Sequence, residues 1–386
     1  MQGGPGCSAL VGAFVETAPL WIYNANKGGI SHDTAALTQN VYGWNNLAHL
    51  LYVDAPRYTG FSYGAGAPCR NASDNARDMI VFILEWFLLF PEHATRKLYL
   101  VSESAGGRLV PALADAIMDH NSRLETSSLL QIHLHGILLG NPCLEGPELY
   151  RGYLTRYAMD QSRTNLFDWR LERGTSCTNS MGYLGYDVSQ FAKWLDRGDV
   201  RDQLHARPEG GREAFSAPCA DTCIKMPQYS DATLLVAPIM ARLLRSGVHV
   251  VVMYGGHNLL CGYDEYDEAL FKSLEWRATE SFAKATYKDI RIGGASFASE
   301  KTVTAGATLS VIQIWQAGHL VPVDAPSEAH WVLNRLLSLP SPDLQSHAVN
   351  SEDKKLLSGR FWRVAVVVSL SVLAYLDVRR VHLPLF

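Results

Sequence analysis

Two short stretches of this chain carry residue types that can break an acyl bond. The first is Val101-Ser102-Glu103-Ser104-Ala105-Gly106-Gly107, and the second is Gln316-Ala317-Gly318-His319-Leu320-Val321-Pro322. The first reads as a strand that delivers Ser104 onto a sharp turn, with a helix after it. The second reads as the end of another strand, followed by a Gly-flanked loop that presents His319. A serine hydroxyl is a weak nucleophile until a base takes its proton, and a positioned imidazole is the usual base. The predicted chemistry is acyl transfer through a serine ester, with Ser104 as nucleophile and His319 as general base. Small neighbours are needed for Ser104 to stand exposed on its turn, and Ser102 and Gly106 supply them. The acid expected between serine and histidine in such a chain order is not evident.

These residues need a scaffold that ends several strands at one place. Apolar runs at Leu47–Val53, Lys97–Val101, His133–Leu139, His249–Met253 and Leu309–Trp315 read as buried parallel strands. Each runs within three residues into Gly, Pro, Asp or Ser, where the catalytic loops of a parallel sheet begin. Amphipathic runs at Asn75–Phe90, Arg108–His120, Ala232–Leu244 and Pro326–Leu337 read as helices between them. The predicted class is α/β. Residues 1–145 and 231–339 form the two parts of the core. Residues 146–230 are more polar, mix aromatic residues and cysteines with Gly and Pro, and read as a cap inserted between sheet strands.

The chain has 386 residues, enough for one large domain with an insertion; 47% are hydrophobic and 19% charged, as in a packed globular protein. Lys and Arg number 34 against 38 Asp and Glu, for a net charge of −4, and no basic run is present to hold nucleic acid. Of the seven cysteines, Cys7, Cys69, Cys143, Cys177, Cys219, Cys223 and Cys261, only Cys219 and Cys223 are closely spaced, and no matching Cys/His pair completes a zinc site. An odd count fits several disulfides and one free thiol in a secretory compartment. Asn71-Ala72-Ser73 is a glycosylation sequon. Residues 340–360 read as a polar linker. Within 361–386, the apolar run Val364–Leu376 follows Phe361, Trp362 and Arg363 and precedes Asp377, Arg379 and Arg380. That run is shorter than the ~20 residues that cross a bilayer unaided, and it reads either as a snorkelling membrane anchor or as a packed C-terminal helix.

The ordered set of motifs resembles the serine carboxypeptidase family, which has the α/β-hydrolase fold with an inserted cap. Gly3-Gly4-Pro5-Gly6-Cys7-Ser8 resembles its W-L-N-G-G-P-G-C-S signature. Trp44, Asp54-Ala55-Pro56 and Thr59-Gly60-Phe61-Ser62-Tyr63 resemble its D-x-P-x-G-x-G-F-S-Y block. Glu103-Ser104-Ala105-Gly106-Gly107-Arg108-Leu109-Val110-Pro111 resembles E-S-Y-A-G-x-Y-V-P. Gly140-Asn141-Pro142 resembles G-N-G, Asp199–His205 resembles a cap segment, and Ala317–Pro322 resembles A-G-H-M-V-P. By this resemblance the backbone N–H groups of Gly4 and Ala105 hold the oxyanion. Glu16 and Glu103 form a carboxyl pair that keeps a proton and, with Gln2 and Gly3, reads the terminal carboxylate of a peptide. The implied partners are peptide or protein C-termini, with no metal or organic cofactor and no nucleic acid. The oligomeric state is not legible. The implied location is the secretory pathway or an endosomal or vacuolar lumen, and an anchored C-terminus resembles the prohormone-processing branch.

Among the departures from the family pattern, three bear on the chemistry. Ala105 stands where the family has Tyr, and Gln2 where it has Asn. The family's acid lies in a G-D-x-D-x-I-C segment, but here the chain reads Gly255-Gly256-His257-Asn258-Leu259-Leu260-Cys261; anchoring on Gly256 without a gap puts Leu259 at the acid's place, whereas anchoring on Cys261 puts Asn258 there, the preferred reading. An amide can orient an imidazole but gives the imidazolium no charge; Asp264 and Asp267 are the nearby substitutes. The family also has a central strand leading into Gly-Gly-Pro-Gly. We expect that strand, and a signal peptide, to belong to a longer protein, the rival being a genuine degenerate copy, and we expect a slot beside the Ser104 strand. The leading expectation is a serine-type carboxypeptidase. Its alternatives are an impaired, carboxypeptidase-like binding protein and a carboxypeptidase-like acyltransferase.

Overall fold

A computed structural model describes residues 1–4, 6–22, 37–62, 67–124, 130–144, 182–183, 186–187, 189–206, 234–258 and 261–340. Most of the expected cap, nearly all of the linker, the C-terminal run, Cys177, Cys219 and Cys223 lie outside the described residues.

A six-stranded sheet organises the rest. Its strands are β1 (Leu98–Glu103), β2 (Leu134–Gly140), β3 (His249–Gly255), β4 (Lys288–Ile292), β5 (Ala295–Ala305) and β6 (Ala307–Ile314). They lie in the order β1-β2-β3-β6-β5-β4. The pairs β1–β2, β2–β3 and β3–β6 are parallel, and β6–β5 and β5–β4 are antiparallel. Every residue of β2 and β3 is buried. That explains their unbroken apolar sequence, since a parallel strand covered on both faces has no polar side.

The two faces of β3 separate cleanly. Val250, Val252 and Tyr254 pack with helices α1 (Ala72–Leu89), α2 (Gly106–Ser122) and α3 (Val236–Arg245). Val251 and Met253 pack on the other face with Ala329, Val332, Leu333 and Leu336 of a helix at Pro326–Leu337. Burying each such side chain contributes roughly 1.5–3 kcal/mol, which holds the strand ends at fixed positions. Helix α1 starts where Asn71 accepts a hydrogen bond from Asp74 N at 2.8 Å, so the sequon asparagine serves as the N-cap.

One expectation needs correction, and one element is new. Leu47–Val53 is not a strand; apart from an isolated bridge at Tyr52 it is irregular. It lines a cavity of about 760 Å³ together with the whole of β1, which is the outer strand of the described sheet. The cavity lies along the outer edge of β1, where the slot was expected, and the Met1 amino group donates to Val101 O at 3.0 Å beside it. The β4–β5 hairpin was not foreseen. Its turn is Gly293-Gly294, both at positive φ (59° and 89°), the conformation that tight hairpin turns demand.

Part of the cap region is described. Helices Ser189–Leu195 and Gly198–Gln203 put Phe191, Trp194, Leu195 and Val200 against Leu10, Val11, Phe14, Leu320 and Val323. Phe14 and Trp194 meet edge to face at 5.0 Å. The segment therefore rests on both the N-terminal Gly-rich loop and the loop that carries His319. Among the described residues no helix is long and apolar enough to cross a membrane.

Candidate active site

Ser104 occupies the turn between β1 and α2 with φ 56°, a left-handed conformation that costs a residue with a Cβ and is held only by its surroundings. Those surroundings explain the small residues nearby. A Cβ at Gly106 would lie 2.6 Å from Ser102 Cβ, and one at Gly107 would lie 2.4 Å from Pro142 Cβ. A Cβ at Gly3 would lie 2.6 Å from Ser104 Cβ and 3.1 Å from Ala105 N. The N-terminal Gly-rich loop thus packs directly on the serine turn. Gly4 has φ 114°, which aims this loop's backbone in a way an L side chain would resist. Ala105 stands at the N-terminus of α2, so its N–H lies at the positive end of the helix dipole. These are the two segments expected to supply oxyanion donors, and they are adjacent.

The loop itself is fastened by Asp54. Its carboxylate accepts from Ser8 Oγ at 2.6 Å and Ala9 N at 2.8 Å through one oxygen, and from Phe61 N at 2.9 Å through the other. Burial raises this carboxyl group, and the bonds to Ser8, Phe61 and Ala9 oppose the rise.

His319 is fully buried, in the turn that follows β6 and precedes a short helix at Val321–Asp324. Its Nδ1 lies 3.3 Å from Asn258 Oδ1. With an oxygen acceptor there, Nδ1 carries the proton and Nε2 of the neutral ring is the basic nitrogen. Desolvation lowers the imidazole from 6.5 to about 3. An acid in place of Asn258 would oppose that shift; the amide does not. Asp264 and Asp267 are engaged elsewhere. Asp264 caps the helix Glu265–Ser273, accepting from Tyr266 N at 2.8 Å and Asp267 N at 3.0 Å, and Asp267 lies beside the buried Tyr254 hydroxyl.

The expected carboxyl pair is present. Glu103 is the residue before Ser104, and Glu16 lies in a widely wound helical segment, Gly12–Thr17, a winding that recurs at functional sites. The two carboxyl groups are buried, and each perturbs the titration of the other. Gln2 Nε2 donates to Glu16 Oε1 at 2.6 Å, while Gly3 N donates to Gln2 Oε1 at 3.2 Å. The longer amide of Gln2 thus bridges Gly3 and the pair. Burial raises both carboxyl groups, and for Glu103 the neighbouring Glu16 charge raises it further. Asp324 adds repulsion to both. The pair therefore keeps a proton above the usual carboxylate range.

The turn after β2 was read only as a motif match, and its role went unseen. Ser104 N donates to Gly140 O at 2.9 Å, and Cys143 N donates to Ser104 O at 2.9 Å. Cys143 is disulfide-bonded to Cys261, three residues after Asn258, and its Sγ lies 3.9 Å from Ser104 Oγ. Cys7 is also in a disulfide, and Cys69 is the buried free cysteine among the described residues. Among the described residues no group of three or more His, Cys, Asp or Glu side chains is arranged to hold a metal ion.

Known proteins resemble this chain in sequence and in fold. A family profile described as serine carboxypeptidase matches residues 1–170 and 157–338. The pheromone-processing carboxypeptidase kex1 of Aspergillus niger is 26% identical over 88% of this chain and 62% of its own length. The venom serine carboxypeptidase of Apis mellifera is 27% identical over 86% of this chain and 75% of its own. The chain spans about three-fifths of the length of the fungal kex1 relatives it matches. In fold it resembles the crystal structure of Kex1(Δ)p, a prohormone-processing carboxypeptidase from Saccharomyces cerevisiae. The TM-score is 0.68 at 20% identity, over 87% of this chain and 81% of that one.

Proposed function

The chain belongs to the serine carboxypeptidase family, with its α/β-hydrolase fold, and from that premise we propose that it removes C-terminal residues from peptides through an ester on Ser104. Ser104 Oγ attacks the last peptide carbonyl as His319 Nε2 takes its proton. The carbonyl oxygen gains the negative charge and is held by the Gly4 and Ala105 N–H groups. His319 passes the proton to the departing amine, which leaves as the free C-terminal residue. Water then attacks the ester by the same route in reverse, restoring Ser104.

The observation that carries this reading is the buried carboxyl pair, one member of which precedes the nucleophile in the chain. A protonated carboxyl donates to a carboxylate, whereas two ionised ones repel it. Below the pair's raised pKa the site welcomes a free C-terminus; as pH rises through it, that affinity is lost. The base keeps pace, because His319 stays neutral down to about pH 3. Both shifts favour acidic operation. Asn258 limits the rate without removing any reacting atom.

The rest of the reading follows. Residues 1–145 and 231–339 act as the core, and 146–230 as the cap over the peptide. The Cys143–Cys261 disulfide supports an oxidising secretory or vacuolar lumen, with Asn71 as a sugar acceptor and residues 361–386 as an anchor beyond the linker 340–360.

The test is the intact mass of the protein after a fluorophosphonate at mildly acidic pH. A single adduct is expected, absent in Ser104→Ala and slowed by a peptide with a free C-terminus but not by its amide. Folded protein that forms no adduct would favour a binding role. Equal protection by acid and amide would remove the carboxyl pair from substrate recognition.

A further inference from the structure

We infer that Asn141 is a positioning residue that locks the His319 loop to the nucleophile turn. The inference rests on the reading above for the roles of Ser104 and His319, and on geometry for the rest. Asn141 is fully buried, with φ 39°. Its Nδ2 donates to Gly318 O at 3.0 Å and to His319 O at 2.7 Å. Its Oδ1 accepts from Gly255 N at 2.9 Å, and its own N donates to Met253 O at 2.7 Å. One side chain therefore uses both hydrogens and its oxygen on two other loops. It joins the end of β3, three residues before Asn258, to the backbone of His319 itself.

The same turn holds Ser104 through its backbone. Gly140 O accepts from Ser104 N and Cys143 N donates to Ser104 O, on either side of Asn141. Nucleophile and base belong to loops far apart in the chain, and the turn 140–143 is gripped by both. In a triad with an ionised acid, charge helps to hold the imidazole. Here Asn258 offers a 3.3 Å contact without charge, so the burden of placing the ring shifts to the backbone clamp. The left-handed φ fits the role: Asn is among the few residues with a Cβ that visit that region readily, and no other such residue carries two amide hydrogens.

Three variants test the inference. Asn141→Gly keeps the backbone angle and removes the clamp. Asn141→Asp tolerates the angle and keeps the acceptor for Gly255, but turns a carboxylate toward two carbonyl oxygens. Asn121→Ala is the control: Asn121 clamps Ile132 in the same way, donating at 2.8 Å and accepting at 2.9 Å, far from the site in sequence and role. The readouts are the rate of fluorophosphonate reaction at Ser104, the affinity for a free-carboxylate peptide, and the ¹⁵N resonances of the His319 ring. Asn141→Gly should slow the reaction about 100-fold, as expected for a base misplaced by about 1 Å, with peptide affinity changed less than about threefold. His319 should show more than one ring environment. Asn121→Ala should lower Tm and leave the rate alone.

A rate within about threefold of the parent in Asn141→Gly, with a parent-like ring signal, would overturn the inference. So would an equal loss of rate in Asn121→Ala. If the glycine variant does not fold, the aspartate variant decides by the same readouts. A parent that forms no adduct sinks the hydrolase reading, and the ring signal then decides the clamp by itself.

Discussion

If Ser104 and His319 act as proposed, replacing Asn258 by Asp should raise the rate and change the shape of its pH profile. His319 Nδ1 lies 3.3 Å from Asn258 Oδ1. A carboxylate oxygen there would attract the imidazolium by about 5 kcal/mol at an effective dielectric of about 20. That is about 4 pKa units, or about 10⁴ in rate if all of it appears in the transition state. The site is buried, so desolvating a new carboxylate cancels part of the gain, and a rise of about 10²–10³ in kcat at pH 7 is expected. The reverse exchange in a serine protease triad costs about 10⁴, which agrees in size. The signature lies in the pH dependence. The parent's base titrates at about 3; the variant's moves up toward the ordinary range, near 6.5. The gain at pH 7 should therefore shrink by about two orders of magnitude by pH 4, where the variant's ring is protonated. The assay is release of the last residue from an N-blocked dipeptide at pH 4, 5.5 and 7, normalised to sites titrated with fluorophosphonate. A folded variant with the parent's rate and the parent's profile would refute the role given to the His319–Asn258 contact.

Three other outcomes are expected. Glu103→Gln holds a permanent amide donor beside Glu16, so the loss of peptide affinity with rising pH should flatten, measured as KM between pH 4 and 8 with kcat as the control. The His319 shift is a stability statement: the folded pKa lies below the unfolded one, so its contribution is present above pH 6.5 and lost as pH falls to about 3. That loss is about 4–5 kcal/mol, and urea unfolding of the parent against His319→Gln at pH 7, 5 and 3.5 should show a flatter curve for the variant. The Cys143–Cys261 disulfide closes a separation of 118 residues, so the double alanine variant should lose about 4–5 kcal/mol by the chain-entropy account, read by denaturant unfolding. An unchanged midpoint in that variant would mean that the unfolded chain is already restrained.

Much of the site was legible because its parts are local. The Ser104 turn, the Gly-rich loop and the His319 loop each declare themselves within a few residues, and the unbroken apolar runs of β2 and β3 declare burial on both faces. The helix Pro326–Leu337 was bounded as observed because a proline opens it and the apolar period closes it. What was not legible depends on neighbours. Leu47–Val53 has strand-like composition, but a strand needs a partner edge, and the segment faces the cavity along β1. The β4–β5 hairpin carried a local signal, Gly293-Gly294 between residues of strand type, and Ile290 and Ile292 flank it in alternation. Its half-exposed faces diluted the apolar pattern used to find strands. Asn141 stood out only as part of the Gly140-Asn141-Pro142 motif match; its proposed role lies in hydrogen bonds to Gly318 and His319, which no local pattern reveals.

The most direct measurement is mass spectrometry of a free-carboxylate peptide incubated with the protein at about pH 5, inside the range where His319 is neutral. The account predicts products shortened one residue at a time from the C-terminus, none from the amidated peptide, and none with Ser104→Ala. Intact peptide, internal cleavage, or equal shortening of the amide would contradict it.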